Sequence, residues 1–171
     1  MILLTRTGER AVMSTQAQPL EAGLKAPAFQ SKTFAGHKIK LSDYLGSYVA
    51  VYFYPKDNTP GCTNQACNLQ NHMGKLTDNG ISIIGISPDK NESHEKFTDK
   101  YGLSFPLIAD PEHKIINKYR VWGEKKNYGK TYMGLHRTTF LINPKGKIVH
   151  VFTRPKTKEH AEEILAKIKE F

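Results

Sequence analysis

Cysteine is scarce in this chain: two in 171 residues, at positions 62 and 67. That excludes a small scaffold stapled by many disulfides. With no secretory pattern at its start, the expected setting is reducing and cytoplasmic, where a cysteine pair serves catalysis, metal binding or packing rather than a permanent brace. Long hydrophobic runs are missing too. No stretch approaches the roughly 18 apolar residues that a spanning helix needs. The opening MILLTRTGERAVMSTQAQPLEAG puts its short apolar run before its first arginine, the reverse of a secretory signal's order. Acidic residues are few, 16 Asp plus Glu against 25 Lys plus Arg, for a formal charge of +9. The excess is concentrated between Lys114 and Lys158, where twelve basic residues face Glu124 alone. Such a segment attracts phosphate. Its cations, however, are dispersed through strand-like and turn-like stretches, with no motif that enters a groove or stacks bases. Nucleic-acid binding is therefore the weaker reading, and a solvated basic face, or one that meets an acidic protein partner, the stronger. Internal repeats, low-complexity tracts and linkers are absent.

What remains is ordinary globular composition, 39% hydrophobic and 24% charged, in a length that suits one domain. Residues 1–22 read as a flexible tail and 23–171 as a single domain. Within it, APAFQSKTFAGHKIKLSDYLG predicts a hairpin and a helical turn near Leu41 to Leu45. YVAVYFYP (48–55) is a continuous β-branched and aromatic run, as for a strand covered on both faces, and ISIIGIS (81–87) is a second. Cys62, Ala66, Leu69, Met73 and Leu76 form one helical face. ESHEKFTDKYG reads as a helix ending at Gly102, FPLIAD as a short strand, and PEHKIINKYRV as a helix with Pro111 at its first position. RTTFLINPKGKIVHVFT predicts an antiparallel hairpin turning at Asn143 to Gly146, and KEHAEEILAKIKEF a closing amphipathic helix. Strands separated by helices give an α/β fold, a mixed central sheet flanked by helices with an N-terminal hairpin extension.

Chemistry concentrates in YPKDNTPGCTNQACNLQ (54–70). A thiol reacts as its thiolate. Cys62 falls where a strand ends and a helix begins, so unpaired backbone N–H groups and the positive end of the helix dipole favour a negative sulfur. Thr59 offers a hydroxyl three residues earlier, Pro55 and Pro60 restrict the backbone, and Gly61 permits close approach of a ligand. The turn alone leaves open that Cys62 is a buried small hydrophobe. Cys67 adds a constraint. Five residues apart on an intact helix, two Cα atoms are ~8.6 Å apart and their side chains point about 140° apart, beyond the roughly 7 Å that a disulfide spans. A bond between these cysteines needs the helix start to unwind, which suits a transient disulfide better than a structural one. A zinc site is disfavoured, because there is no second cysteine pair and the seven histidines show no paired spacing.

FYPKDNTPGCTNQAC resembles the active-site segment of the peroxiredoxins, in particular the bacterioferritin-comigratory or peroxiredoxin Q subfamily. Pro55, Thr59 and Cys62 meet its Pro-x-x-x-Thr/Ser-x-x-Cys pattern, and the likeness runs from about Leu24 to the C-terminus. The resemblance implies a thioredoxin-like fold and a thiol peroxidase needing no metal, flavin or haem. It implies Cys62 as the peroxidatic cysteine, Cys67 as the resolving one, Thr59 as the hydroxyl orienting the peroxide and Pro55 as a shield against water. Arg137 would open a strand antiparallel to YVAVYFYP and stand beside the sulfur. A hydroperoxide substrate, thioredoxin as reductant and a monomer follow from the same likeness. Gln65 departs from the family, which often has glutamate there; it can still accept a hydrogen bond from Arg137. A disulfide oxidoreductase is the nearest alternative, disfavoured because such enzymes typically use C-x-x-C. His136 reads as a satisfied structural histidine. Trp122, Tyr128 and Tyr132 read as packing residues rather than a lining of the peroxide entrance.

Overall fold

The computed structural model describes residues 15–171. Strand β1 (Gln30–Lys32) pairs with β2 (Lys38–Lys40) in the expected hairpin, followed by a 3₁₀ turn at Leu41–Tyr44. Then come β3 (Tyr48–Phe53), α1 (Pro60–Asn71), α2 (Met73–Asp78), β4 (Ile81–Ser87), α3 (Asn91–Tyr101), β5 (Leu107–Ala109) and α4 (Lys114–Lys118). A hairpin of β6 (Trp122–Asn127) and β7 (Lys130–Leu135) precedes β8 (Thr138–Ile142), β9 (Ile148–Phe152) and α5 (His160–Ile168). The central sheet has the order β9-β8-β3-β4-β5, with β3, β4 and β5 parallel and β8 and β9 antiparallel to their neighbours.

The continuous apolar run of β3 is explained by two cores. Val49, Val51 and Phe53 point to one face, where they meet Phe29, Ile39, Ile116, Tyr119 and Leu135. Ala50, Tyr52 and Tyr54 point to the other, under α1, α2, α3 and α5. A strand whose alternate side chains are all buried cannot show polar alternation. Gly85 of β4 lies opposite Tyr52, and a Cβ there would fall 2.9 Å from the Tyr52 ring and 2.7 Å from Leu107 Cδ2. A glycine inside a buried strand marks such a close approach.

Three expectations are corrected. The face from Cys62 to Leu76 spans two helices, broken at His72. The helix expected to begin at Pro111 begins at Lys114 instead. The Asp110 carboxylate accepts from the backbone N–H groups of Lys114 (2.9 Å) and Ile116 (2.8 Å), and His113 caps the helix at a left-handed φ of 60°. Pro111 and Glu112 form the turn that this capping needs. Trp122 packs as expected, 4.0 Å from the His113 ring, but Tyr128 and Tyr132 are exposed. Of the tail expected over residues 1–22, residues 1–14 lie outside the described residues. Thr15 and Ala17 lie against β6: the Glu124 N–H donates to the Thr15 carbonyl at 2.6 Å, and a Cβ on Gly123 would overlap the Ala17 backbone. No helix among the described residues is long and apolar enough to cross a membrane.

Candidate active site

Antiparallel pairing of β8 with β3 puts Thr138 opposite Phe53. The residue just before β8 therefore arrives where β3 gives way to the turn leading into α1. Arg137 is that residue. Its Nη2 donates to Cys62 Sγ at 3.2 Å and its Nη1 to Gln65 Oε1 at 2.6 Å. Cys62 is buried, in the first turn of a helix that carries Pro60 at its start and Thr59 as N-cap. A proline there loses no hydrogen bond, because the first N–H groups of a helix have no partner within it. The sulfur thus receives a fixed cation as well as the helix's positive end, an arrangement that stabilises negative charge on it. Gly61 makes room for that cation, since a Cβ at this position would stand 3.2 Å from Arg137 Nη2.

Gln65 is fully buried, and its amide nitrogen has no hydrogen-bond partner. The Tyr52 hydroxyl below is also buried without one, and burial, with the nearby sulfur adding to it, pushes its phenol well above the usual range. Thr59 donates its hydroxyl hydrogen to the Lys56 carbonyl at 2.8 Å, which leaves the oxygen free to accept. Pro55 lies half-buried two residues past the end of β3. Cys67 is on the same unbroken helix as Cys62, half-buried, both are free thiols, and burial pushes the Cys67 thiol up. The structure thus brings Cys62, Gln65 and Arg137 into direct contact, holds Thr59 and Pro55 in the turn before them, and leaves Cys67 about a turn and a half away. His136 is satisfied as expected, its Nε2 2.9 Å from the Glu124 carbonyl.

Sequence reasoning missed the network that holds the turn. Asp57, buried, accepts from the Tyr54 hydroxyl (2.5 Å), the Ser93 hydroxyl (2.8 Å) and His94 Nδ1 (2.7 Å), while its own N–H donates to Asp89 Oδ2 (2.8 Å). Asp89 also accepts from Ser87 Oγ at 2.7 Å. Asp57, Asp89 and His94 bring ligand-type atoms within 4.8 Å of one another. Those atoms are committed to internal donors, so the cluster works as a buried clamp between the turn, the end of β4 and α3. Lys125 was missed as well. Half-buried on β6, it donates to the Leu135 carbonyl at 3.0 Å, and burial, with the Arg137 cation adding to it, lowers its ammonium below the usual range. The sequence signal for the clamp was a turn rich in Asp, Asn and Pro, in which the structure shows Asn58 left-handed (φ 61°).

Residues 22–151 match the AhpC/TSA family. Among curated relatives, "Peroxiredoxin Bcp" of Bacillus subtilis is 44% identical over 151 residues, covering 88% of this chain and 96% of that protein. The protein of the same name from Escherichia coli K12 is 46% identical over 152 residues, 89% of this chain and 97% of its own. Among solved structures, the Xanthomonas campestris bacterioferritin comigratory protein, studied for its alkyl peroxide reduction activity, superposes with a TM-score of 0.80 at 33% identity, covering 88% of this chain and 98% of that one. A peroxiredoxin Q variant from the same organism gives the same TM-score at 34% identity, over 88% and 99% of the two chains.

Proposed function

We propose, for a chain that belongs to the AhpC/TSA family and is a thiol peroxidase of the two-cysteine type, that Cys62 is the attacking thiolate and Cys67 the thiol that resolves it. The observation that carries this reading is the Arg137 guanidinium, bonded at once to Cys62 Sγ and Gln65 Oε1. The Cys62 thiolate attacks the terminal oxygen of a hydroperoxide. The O–O bond breaks, the hydroxyl stays on sulfur as sulfenic acid, and the departing alkoxide or hydroxide takes a proton to become alcohol or water. Arg137 stabilises charge first on sulfur and then across the breaking bond. The Thr59 oxygen accepts a hydrogen bond from the peroxide, and Pro55 keeps water from the sulfur.

Cys67 then attacks the sulfenic sulfur, releasing hydroxide and forming the Cys62–Cys67 disulfide, which a dithiol protein returns to two thiols. Thioredoxin is the reductant proposed, with the basic Lys114–Lys158 segment suited to an acidic partner. Alkyl as well as hydrogen peroxide is the substrate class, by analogy with the Xanthomonas protein. A cytoplasmic monomer completes the reading. Neither the disulfide-oxidoreductase nor the nucleic-acid alternative gains support, since the relatives above are peroxiredoxins. Mass measurement after one equivalent of peroxide tests the cycle. The expected product has lost two hydrogens, with Cys62 joined to Cys67. A stable gain of one oxygen removes Cys67 from its role, and rapid peroxide reduction by Cys62→Ser removes Cys62.

A further inference from the structure

Next to Cys67 on α1, Asn68 spends its whole side chain on another helix. Its Oδ1 accepts from the Ala161 N–H at 2.7 Å, and its Nδ2 donates to the Lys158 carbonyl and to Glu162 Oε1, both at 2.9 Å. Helix α5 has no cap of its own, because its N-cap Glu159 makes no side-chain cap bond. One of its open N–H groups is therefore satisfied by a residue 93 positions earlier. His72 tightens the same joint, its Nδ1 2.8 Å from the Asn68 carbonyl and its Nε2 3.8 Å from Glu162. The Glu162 carboxyl is held below its usual range, chiefly by the Asn68 hydrogen bond.

Joining Cys62 to Cys67 requires part of α1 to lose its helical form, from one end or the other. At the Cys62 end, the preceding turn is fastened by the Asp57 clamp, whose Asp57 and His94 side chains are almost wholly buried. Breaking bonds to a buried carboxylate leaves charge and donors unpaired in low dielectric. At the Cys67 end, the Asn68 bonds lie near the surface, where water replaces a lost partner. Of the polar fastenings at the two ends, those at the Cys67 end, the Asn68 bonds and the Ser104 N–H and hydroxyl donating to Gln70 Oε1, are the less costly to break. Unwinding there also draws on the packing of the buried Ala66 and Leu69.

Resting on the two-thiol reading above, we propose that Asn68 is a positioning residue for the resolving step: it latches the Cys67 end of α1 to the start of α5, and its release lets Cys67 reach Cys62. The latch keeps α1 helical while Cys62 meets peroxide. It also sets the competition between resolution and a second oxidation of Cys62 to sulfinic acid.

The test follows disulfide formation by quenched-flow mass spectrometry in wild type, Asn68→Ala and Glu162→Ala. Loss of a helix cap shifts an opening equilibrium by about 2- to 30-fold, so Asn68→Ala is expected to form the disulfide faster by that factor. Glu162→Ala, which removes one of the three bonds, gives a smaller gain and serves alone if Asn68→Ala fails to fold. At a fixed peroxide excess, the ratio of disulfide to sulfinic acid rises with the rate, while the rate of the first oxidation of Cys62, which general weakening of the fold would lower, stays at its wild-type value. Unchanged or slower disulfide formation in the folded variants, with wild type forming the bond, overturns the latch alone. Absence of the bond in wild type overturns the two-thiol reading and the latch with it.

Discussion

Replacing Gln65 by glutamate changes one atom and separates two effects that the site now combines. Gln65 Oε1 stands 2.6 Å from Arg137 Nη1, and Arg137 Nη2 stands 3.2 Å from Cys62 Sγ. Through the guanidinium, a carboxylate at position 65 would sit about 7 Å from the sulfur, where two like charges repel by roughly 2 kcal/mol at an effective dielectric near 20. Arg137 is half-buried, and partial solvent screening brings this to about 1–2 kcal/mol. The thiolate–thiol equilibrium of Cys62 should move toward the thiol by about 5- to 30-fold, and oxidation by peroxide should need a correspondingly higher pH to reach its full rate. Stability should move the other way. The Gln65 amide nitrogen is buried without a partner, a defect worth about 1–3 kcal/mol, and glutamate has no such donor while gaining a charge-assisted bond to Arg137. Ultraviolet thiolate absorbance against pH, stopped-flow oxidation and a melting curve read the three quantities. A Gln65→Glu protein whose thiolate absorbance titrates over the same pH range as wild type, or a lower one, would refute the claim that the Gln65–Arg137 contact governs charge on the sulfur.

Two further outcomes are expected. Burial raises the Cys67 thiol, so the closed helix favours its protonated form. That preference is intact below the ordinary thiol range and is lost as pH climbs through it, because the opened segment ionises first. Disulfide formation should thus rise steeply with pH, by up to about tenfold per unit, until the pH has passed the ordinary thiol range at about 8.5, and level off only above it, and a rate that is flat with pH or falls contradicts this. Gly61→Ala puts a methyl 3.2 Å from Arg137 Nη2, so the guanidinium must give way by a few tenths of an ångström and its bond to the sulfur weakens. Its oxidation by peroxide should slow by up to about tenfold, the loss of one charge-assisted hydrogen bond being the upper limit, while its melting temperature moves little; an unaltered oxidation rate would show that the cation relocates without loss.

Residues that declare themselves locally were the legible ones. Strands β3 and β4 follow from unbroken apolar runs, and the hairpin of β8 and β9 from its Asn-Pro-Lys-Gly turn. The meeting of Arg137 with Cys62 followed from the family likeness, since a separation of 75 positions carries no local sign of it. The β6–β7 hairpin stayed hidden because its strands are largely exposed and lysine-rich, and its two-residue turn is Tyr128-Gly129 rather than Asn-Gly. Both turn residues adopt left-handed φ, 51° and 77°, as a tight hairpin of this twist requires. The Asp57 clamp and the Asn68 latch were illegible for a different reason. Each joins polar residues from separate segments, and a polar residue in sequence looks the same whether its partner is water or a neighbour 90 positions away. Pro111 misled because the Asp110 carboxylate capped α4 later than proline statistics suggest.

Gln65 lies between the two cysteines, inside the stretch of helix that must come apart for them to join. In the proposed cycle, the motion that brings Cys67 to Cys62 takes Gln65 away from Arg137, and the bond it forms leaves no thiolate on Cys62 for that cation to hold. An oxidised molecule holds no assembled anion site and has no means of engaging another peroxide. Reduction restores the thiols, the helix and the cation's seat together. The chain in this way carries an interlock: readiness for the next oxidant is conditional on the previous one having been cleared.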